Sequence, residues 1–223
     1  MNAATATLLR LFFACLPDRI FPTAMNDEFT LLGISTNPFE VIAFVLSVST
    51  VLLNIRQNHW AWLLAIISSA AYGVVFFNAR LYGDMGLQVV FIVVSVWGWH
   101  SWLHGGAQHQ RLHVSRLDRA GWSAALAGWL VGFVLLAFAL KAWTNTDVPV
   151  SDGFLTAGSL LGQLLLSRKK VENWHIWIAV DILYVGLYLY KGLVLTAILY
   201  ALFVAMAIIG LRVWQRAVRA GAQ

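Results

Sequence analysis

Five side chains capable of chemistry lie in one line along residues 171–190, VENWHIWIAVDILYVGLYLY. They are an amide, an indole, a carboxylate and two phenols, at spacings of 4, 4, 3 and 4 residues: Asn173, Trp177, Asp181, Tyr184 and Tyr188. On an α-helix these spacings place all five side chains on one face. Aromatic faces attract cations, a carboxylate supplies a counter-charge, and amides exchange hydrogen bonds. The line could therefore form one wall of a binding site for a flat, polar solute, including a cationic one.

The rest of this segment is apolar, and so is most of the chain. Of the 223 residues, 60% are hydrophobic and only 11% are charged, whereas soluble domains carry about 25% charged residues. The composition therefore predicts an integral membrane protein in contact with a lipid bilayer. Asp181 is the only acid deep inside a predicted span, where a carboxylate costs several kcal/mol unless it faces a cavity or a partner. A water-filled cavity or a cationic ligand would relieve that cost, and so would hydroxyl groups within the bundle.

Seven segments are apolar and long enough to be membrane-spanning helices. They are residues 38–55, 60–78, 81–103, 121–143, 151–167, 173–190 and 193–215. Most basic residues fall in the loops on one side, which the positive-inside rule assigns to the cytoplasm. We therefore expect the N-terminus outside and the C-terminus in the cytoplasm. Basic residues grouped in short loops are typical of membrane proteins, so the net charge of +5 does not indicate a nucleic-acid partner.

The chain also repeats itself at a constant offset, which we call the repeat offset and define as the separation between Arg56 and Arg168. The identical pairs least expected by chance at this offset are Arg56/Arg168, Trp62/Trp174, Tyr72/Tyr184, Gly98/Gly210 and Trp102/Trp214. The predicted fold is therefore all-α, with seven transmembrane helices in a 3+1+3 arrangement of two parallel three-helix repeats. The predicted parts are an extracytoplasmic or interfacial segment 1–37, a first repeat 38–103, a basic cytoplasmic loop plus linker helix 104–150, a second repeat 151–216 and a cytoplasmic tail 217–223. Parallel repeats are a known transporter plan, with the substrate site between them.

Other helices supply further candidate residues for such a site. They are the amides, aromatics and hydroxyl groups on the polar faces of spans 2, 3, 5 and 7: Trp62, Gln88, Phe91, Gln163, Thr196 and Tyr200. Gln88 and Gln163 could each bind a ligand amide or hydroxyl, or make an interhelical hydrogen bond. The first repeat has Ala65 and Ser69 where the second has Trp177 and Asp181, so the small residues would leave room for the ligand.

The sequence does not favour an enzyme. It has no nucleophile motif or phosphate-binding loop. Four histidines cluster after span 3, at positions 100, 104, 109 and 113, but no cysteine or acid lies near them at ligand spacing, so we expect no metal and no cofactor. No Lys or Arg lines the predicted pocket, and a phosphate would require one. A nucleoside-like or vitamin-like molecule therefore suits the pocket better than a nucleotide.

Three stretches carry a resemblance to a known family: RQNHWAW, YGDMGLQVVFIVVSVWGWHSW and the run that begins ENWHIWIAVD. Over about residues 38–216 the chain resembles the PnuC family of bacterial nicotinamide riboside transporters, which have a fold related to the SWEET proteins. The resemblance implies a homotrimer in the bacterial inner membrane. It also implies facilitated diffusion with alternating access, followed by trapping when a cytoplasmic nicotinamide riboside kinase phosphorylates the ligand.

Several alternatives stay open at this point. Close relatives of that family carry thiamine or riboflavin, and only details of the pocket would separate them. A membrane enzyme acting on a lipid would need clustered acids, and the spans contain a single deep one. A receptor or scaffold without transport activity would have a packed repeat interface with no cavity.

Overall fold

The computed structural model describes residues 29–31, 34–36, 38–78, 82–106, 109–143, 149–190 and 194–221. Its helices are α1 (Pro38–Ile55), α2 (Trp60–Asn78), α3 (Tyr82–His104), α4 (Arg119–Trp143), α5 (Pro149–Ser167), α6 (Asn173–Tyr190) and α7 (Val194–Gly221). Each segment predicted to span the membrane is thus a helix. The largest difference is at the end of α7, which continues to Gly221 instead of ending at 215. Residues 211–220 contain no glycine or proline, so nothing in them stops the helix.

A short hairpin precedes the helices and was not predicted. Strands β1 (Phe29–Leu31) and β2 (Ile34–Thr36) pair in antiparallel fashion, with Phe29 opposite Thr36 and Leu31 opposite Ile34. The prediction of an all-α protein is therefore incomplete in this segment. The chain divides into two compact units, Met1–Ala43 and Phe44–Gln223, and every feature described below belongs to the second.

The outer surfaces of the bundle are apolar. By length and composition, three stretches among the described helices could each cross a membrane: Met85–His104, Arg119–Trp143 and Ala197–Ala220. Helix α4 has no buried residue at all. It exposes Val131, Val134, Leu135 and Phe138, each by more than half of its surface. A helix that is apolar on its exposed face fits contact with lipid.

Glycine allows close packing where α4 meets α5. A Cβ atom placed on Gly153 would lie 2.7 Å from the backbone nitrogen of Ala137, so only glycine fits there. Small residues at such crossings let two helix backbones approach each other. Helix α5 also contacts α3 and α6, while α2 packs along α3 and α6 along α7.

The turns from α1 to α2 and from α5 to α6 have the same construction. Gln57 and Lys169, which are separated by the repeat offset, both adopt left-handed backbone conformations, with φ of 55° and 48°. In each turn the next residue's N–H donates to the carbonyl five positions back, at 2.9 Å in both cases. The left-handed residue donates to the carbonyl three positions back, at 3.0 and 2.9 Å. This is the Schellman pattern that ends many helices.

The loop before α4 docks onto the second of these turns. The Ser115 N–H donates to the Lys169 carbonyl, and the Val171 N–H donates to the Ser115 carbonyl, both at 3.0 Å. The Leu117 N–H donates to Oε2 of Glu172 at 3.0 Å. The part of the predicted basic loop from Ser115 to Leu117 is thus fixed by hydrogen bonds next to the start of α6.

Lys169 is buried within this docked region. Its Nζ lies 4.6 Å from the centre of a Trp102 ring, and only 7% of the residue is exposed. Burial, and to a lesser extent the positive charge of Arg111, lower the pKa of Lys169 to about 8. The lysine therefore gives up its proton at a lower pH in the folded protein than in an unfolded chain.

Candidate functional site

A cavity of about 280 Å³ lies between the helices, and every helix except α4 contributes to its wall. The lining residues are Ser47, Thr50, Val51, Asn54, Ala61, Trp62, Ala65, Ser68, Ser69, Gln88, Phe91, Gln163, Leu166, Trp174, Trp177, Asp181, Tyr200, Phe203 and Ala207. The wall is mostly aromatic and aliphatic, with a few amides, hydroxyl groups and one carboxylate. This is the usual composition of a small-molecule site, and the volume lies near the lower end of the usual range of about 300–1,000 Å³.

Seven of the eleven predicted site residues line this cavity. They come from five different helices: Trp62, Gln88, Phe91, Gln163, Trp177, Asp181 and Tyr200. Ala65 and Ser69, which were expected to leave room for a ligand, line it as well. The sequence pattern therefore identifies side chains that the fold brings together from distant parts of the chain. The Thr196 side chain lies outside the described residues.

Asn173 does not line the cavity, although it heads the line of polar residues on α6. It is the first residue of the helix and is completely buried. Its Nδ2 donates to the Lys170 carbonyl at 2.6 Å, so the side chain turns back into the preceding turn. The amide thus closes the α5–α6 turn and fixes where α6 begins.

Tyr184 and Tyr188 lie beside the cavity, in contact with a residue that lines it. Their rings stack at 5.6 Å, and each packs against the Tyr200 ring, at 4.9 and 5.0 Å respectively. Neither of them is among the lining residues. The two phenols therefore support Tyr200, which is their link to the cavity wall.

The Trp177 ring packs closely against a glycine on the neighbouring helix. A Cβ atom placed on Gly162 would lie 3.0 Å from Cε2 and 3.2 Å from Nε1 of the indole. The absence of a side chain at 162 lets the Trp177 ring lie against α5 and present itself to the cavity. This close approach explains why an indole fits between two packed helices.

Asp181 supplies the carboxylate of the cavity wall, and only 4% of the residue is exposed. In the described part of the chain, the cavity wall contains no Lys, Arg or His side chain. The site therefore offers a carboxyl group without a basic counterpart among its described residues. A cation in the cavity would supply the missing counter-charge.

Sequence reasoning missed the contribution of α1. Ser47, Thr50 and Asn54 line the cavity at spacings of 3 and 4, the same spacing that defines the line on α6. The signal was present but weak, because serine and threonine in apolar helices commonly bond to their own backbone. Thr50 does so here, since its Oγ1 donates to the Leu46 carbonyl at 2.8 Å.

A bundle of apolar helices around a small, mostly apolar cavity with a few polar groups is typical of a membrane protein that binds a small solute. Comparison with known proteins identifies the family to which the chain belongs. Residues 37–216 match the family model described as "Nicotinamide mononucleotide transporter", so the chain belongs to this family. The resemblance to the PnuC family is confirmed, and the protein is a PnuC-type transporter and not an enzyme.

Individual relatives agree with this assignment. The chain is 28% identical to the riboflavin/roseoflavin transporter RibM of Streptomyces davaonensis, over 78% of this chain and 83% of RibM. It is 23% identical to the nicotinamide riboside transporter PnuC of Escherichia coli K12, over 71% of this chain and 77% of PnuC. The crystal structure of the vitamin B3 transporter PnuC matches with a TM-score of 0.66 and 22% identity, covering 82% of both chains. That match shows the membrane helical fold.

Proposed function

We propose that the protein takes up nicotinamide riboside by facilitated diffusion. The observation that carries the proposal is the cavity wall, which combines aromatic rings, amides and one carboxylate, with no basic side chain among its described residues. Nicotinamide riboside has a pyridinium cation, a carboxamide and ribose hydroxyls. Asp181 and the faces of Trp177 and Tyr200 suit the cation. Gln88 and Gln163 suit the carboxamide, and the hydroxyl-bearing residues of α1 and α2 suit the ribose.

The same wall argues against the phosphorylated form of this ligand. A phosphate group requires strong hydrogen-bond donors, usually arginine or lysine, and is repelled by a carboxylate. A nucleoside that enters by diffusion has to be trapped inside, and phosphorylation by a cytoplasmic kinase would do this by adding a charge that the carrier does not accept. We therefore propose a functional link with a nicotinamide riboside kinase.

Riboflavin is the second candidate, and the relationship to RibM favours it. The cavity argues for the smaller ligand, because 280 Å³ is a small volume for three fused rings and a ribityl chain. Riboflavin is also uncharged, so it would leave Asp181 without a counter-charge. Thiamine is a cation of intermediate size and is the third candidate.

We further propose the 3+1+3 arrangement of parallel repeats, with alternating access between them. The turns at Gln57 and Lys169 support it, because both have the same hydrogen bonds and fall at the same position of the repeat. The family resemblance adds a homotrimer in the bacterial inner membrane, with the N-terminus outside and the C-terminus in the cytoplasm.

A ligand panel tests the substrate. Purified protein is heated with nicotinamide riboside, nicotinamide, the mononucleotide, thiamine and riboflavin, each at about 100 times a micromolar Kd. Such a ligand stabilises the native state by about 2.7 kcal/mol, which corresponds to about 5–10 °C for a chain of this size. We expect that shift with nicotinamide riboside alone. A shift with riboflavin or thiamine, and none with nicotinamide riboside, would replace the proposed substrate.

A further inference from the structure

Four tryptophans form a continuous cluster at one end of the cavity. Trp62 packs edge-on against Trp102 at 5.4 Å and 87°, and Trp174 packs edge-on against Trp214 at 5.5 Å and 89°. Trp102 and Trp214 contact each other at 6.1 Å. All four are buried, with exposures of 0–2%. We call this set of four residues the tryptophan plug.

The plug is fastened by two reciprocal sets of hydrogen bonds. The Trp102 indole N–H, on α3, donates to the Leu166 carbonyl near the end of α5 at 2.9 Å. The Trp214 indole N–H, on α7, donates to the Asn54 and Ile55 carbonyls at the end of α1, both at 3.2 Å. The repeat offset separates Trp102 from Trp214, and it also separates Asn54 from Leu166. In the proposed arrangement, each repeat thus bonds to the first helix of the other.

The plug lies between the cavity and the loops on the basic side. Trp62 and Trp174 line the cavity, while Trp102 and Trp214 lie behind them and do not. The carbonyls that they bond belong to the helix ends just before Arg56 and Arg168. A ligand leaving the cavity on that side would have to pass between the two halves of the plug.

Two glycines leave space for the inner pair of rings, those of Trp62 and Trp174. A Cβ atom placed on Gly98 would lie 2.5–2.8 Å from three atoms of the Trp62 ring, and one on Gly210 would lie 2.7 Å from three atoms of the Trp174 ring. These two glycines are again separated by the repeat offset. Each ring therefore fits only because the helix opposite has no side chain at the contact.

Polar atoms in and beside the closed plug have no hydrogen-bond partner among the described residues. The indole N–H groups of Trp62 and Trp174, and Oδ1 of Asn54, are buried without a hydrogen bond within the described residues. Unpaired buried polar groups disfavour a conformation, whereas the indole–carbonyl bonds favour it. Opening would break the bonds and let water reach the unpaired atoms, so the two conformations would lie close in free energy. A carrier needs such a balance.

We propose that the tryptophan plug is the gate on the basic-loop side, closed in this structure, and that it opens by releasing the bond from Trp102 to Leu166 and the bonds from Trp214 to Asn54 and Ile55. The proposal rests on the proposed transport function, because a gate has meaning only in a carrier with alternating access. Each bonded indole N–H shifts the population of the open state by about three- to fivefold, the net value of a hydrogen bond in a membrane bundle.

Labelling of a cysteine in the cavity tests the gate without any substrate. The single native cysteine is removed by Cys15→Ser, and Ala65→Cys places a reporter in the cavity wall. Vesicles of each orientation are treated with a membrane-impermeant maleimide. A separate His109→Cys protein, in the exposed loop before α4, shows which vesicles present the basic-loop side.

We expect Trp102→Phe and Trp214→Phe each to speed labelling of the reporter about three- to fivefold from the basic-loop side, and the double variant about ten- to twentyfold. Labelling from the other side should slow or stay unchanged. Trp122→Phe, which alters an exposed tryptophan on α4, is the matched control and should label at the parent rate. Parent rates in both plug variants, or equal acceleration from both sides, would overturn the gate.

A second pair of variants covers the case in which the phenylalanine proteins fold poorly in a thermal unfolding test. Gly98→Ala and Gly210→Ala displace the inner rings without altering the bonded indoles, and should speed labelling on the same side. If these proteins fold and label at the parent rate, the plug is not the gate. If the gate variants label as expected but the parent protein without the Ala65→Cys reporter does not bind nicotinamide riboside, only the proposed substrate is contradicted.

Discussion

Replacing Asp181 by asparagine should weaken nicotinamide riboside binding about 30-fold and leave the fold intact. Asparagine has the same shape, so the cavity wall keeps its packing and loses only the charge. The described residues lining the cavity include no base that would be left unpaired by this change. Removing a carboxylate that is 4% exposed should therefore not destabilise the empty protein. The whole effect is expected on the bound cation.

The magnitude follows from the electrostatics of a partly dry site. A unit charge about 4 Å from the carboxylate gains about 4 kcal/mol at an effective dielectric constant of about 20. The carboxylate and the pyridinium both lose water on binding, which reduces the net value of such contacts to about 1.5–3 kcal/mol. A loss of about 2 kcal/mol corresponds to about 30-fold in Kd, since about 1.4 kcal/mol is a factor of ten.

Calorimetry on purified protein measures this effect with two ligands. The dihydropyridine form of nicotinamide riboside has nearly the same shape but no positive charge, so its affinity should be the same for the parent and for Asp181→Asn. Asp152→Asn, which removes a carboxylate from the first turn of α5 outside the cavity wall, is the matched control and should leave both affinities unchanged. Equal affinity of Asp181→Asn and the parent for the cation would refute the counter-charge. An equal loss for both ligands would mean that Asp181 acts by hydrogen bonding or packing.

Three further outcomes follow from the structure. Burial lowers the pKa of Lys169 to about 8, from the ordinary value of 10.5. Between pH 8 and 10.5 the unfolded chain therefore binds more protons than the folded protein, so the free energy of unfolding should rise with pH. Over this pH range the thermal midpoint of the parent should rise relative to that of Lys169→Met, by about 2–4 °C for each ~1 kcal/mol of added stability. A difference between the two midpoints that does not change with pH would contradict this. Gly162→Leu should push the Trp177 ring into the cavity and reduce ligand affinity at least about tenfold, whereas Gly186→Leu on open α6 surface should not; equal affinities would show that Trp177 does not contact the ligand. At zero membrane potential, uptake into proteoliposomes should equalise without concentrating the ligand, and accumulation driven by an imposed proton or sodium gradient would show ion coupling.

The helices could be read from the sequence because the apolar segments are long and separated by short polar turns. The boundaries of α1, α2 and α6 agree with the prediction to the residue. The hairpin could not be predicted, since strands of three residues are too short to show alternation. The end of α7 was missed for a different reason. Its last two turns are polar, so hydropathy ended the predicted span although the helix itself continues.

The binding site was predictable where one helix carries several polar residues in register. Trp177 and Asp181 were identified in this way, and both line the cavity. Periodicity alone does not tell which part of a face reaches the cavity. Asn173 shares the face but lies at the helix start, where its amide bonds to a backbone carbonyl instead. Tyr188 shares it too, yet its ring packs on Tyr200 from α7. These outcomes depend on neighbours that the sequence pattern does not show.

The tryptophan plug and the helix turns are symmetric at the repeat offset, whereas part of the cavity wall is not, and this combination suits a carrier. The plug and the helix turns are alike at the repeat offset, even where the residues differ, as Gln57 and Lys169 do. Part of the cavity wall is unlike at the same offset, with Ala65 and Ser69 in the places of Trp177 and Asp181. A gate closes when equivalent residues of the two repeats contact each other, so symmetric contacts suit a gate. A ligand with a cation at one end and a sugar at the other has no symmetry, so its recognition requires two different walls. Selection for one ligand would therefore change the cavity residues and leave the plug intact, and relatives with other ligands should differ mainly at positions 65, 69, 177 and 181.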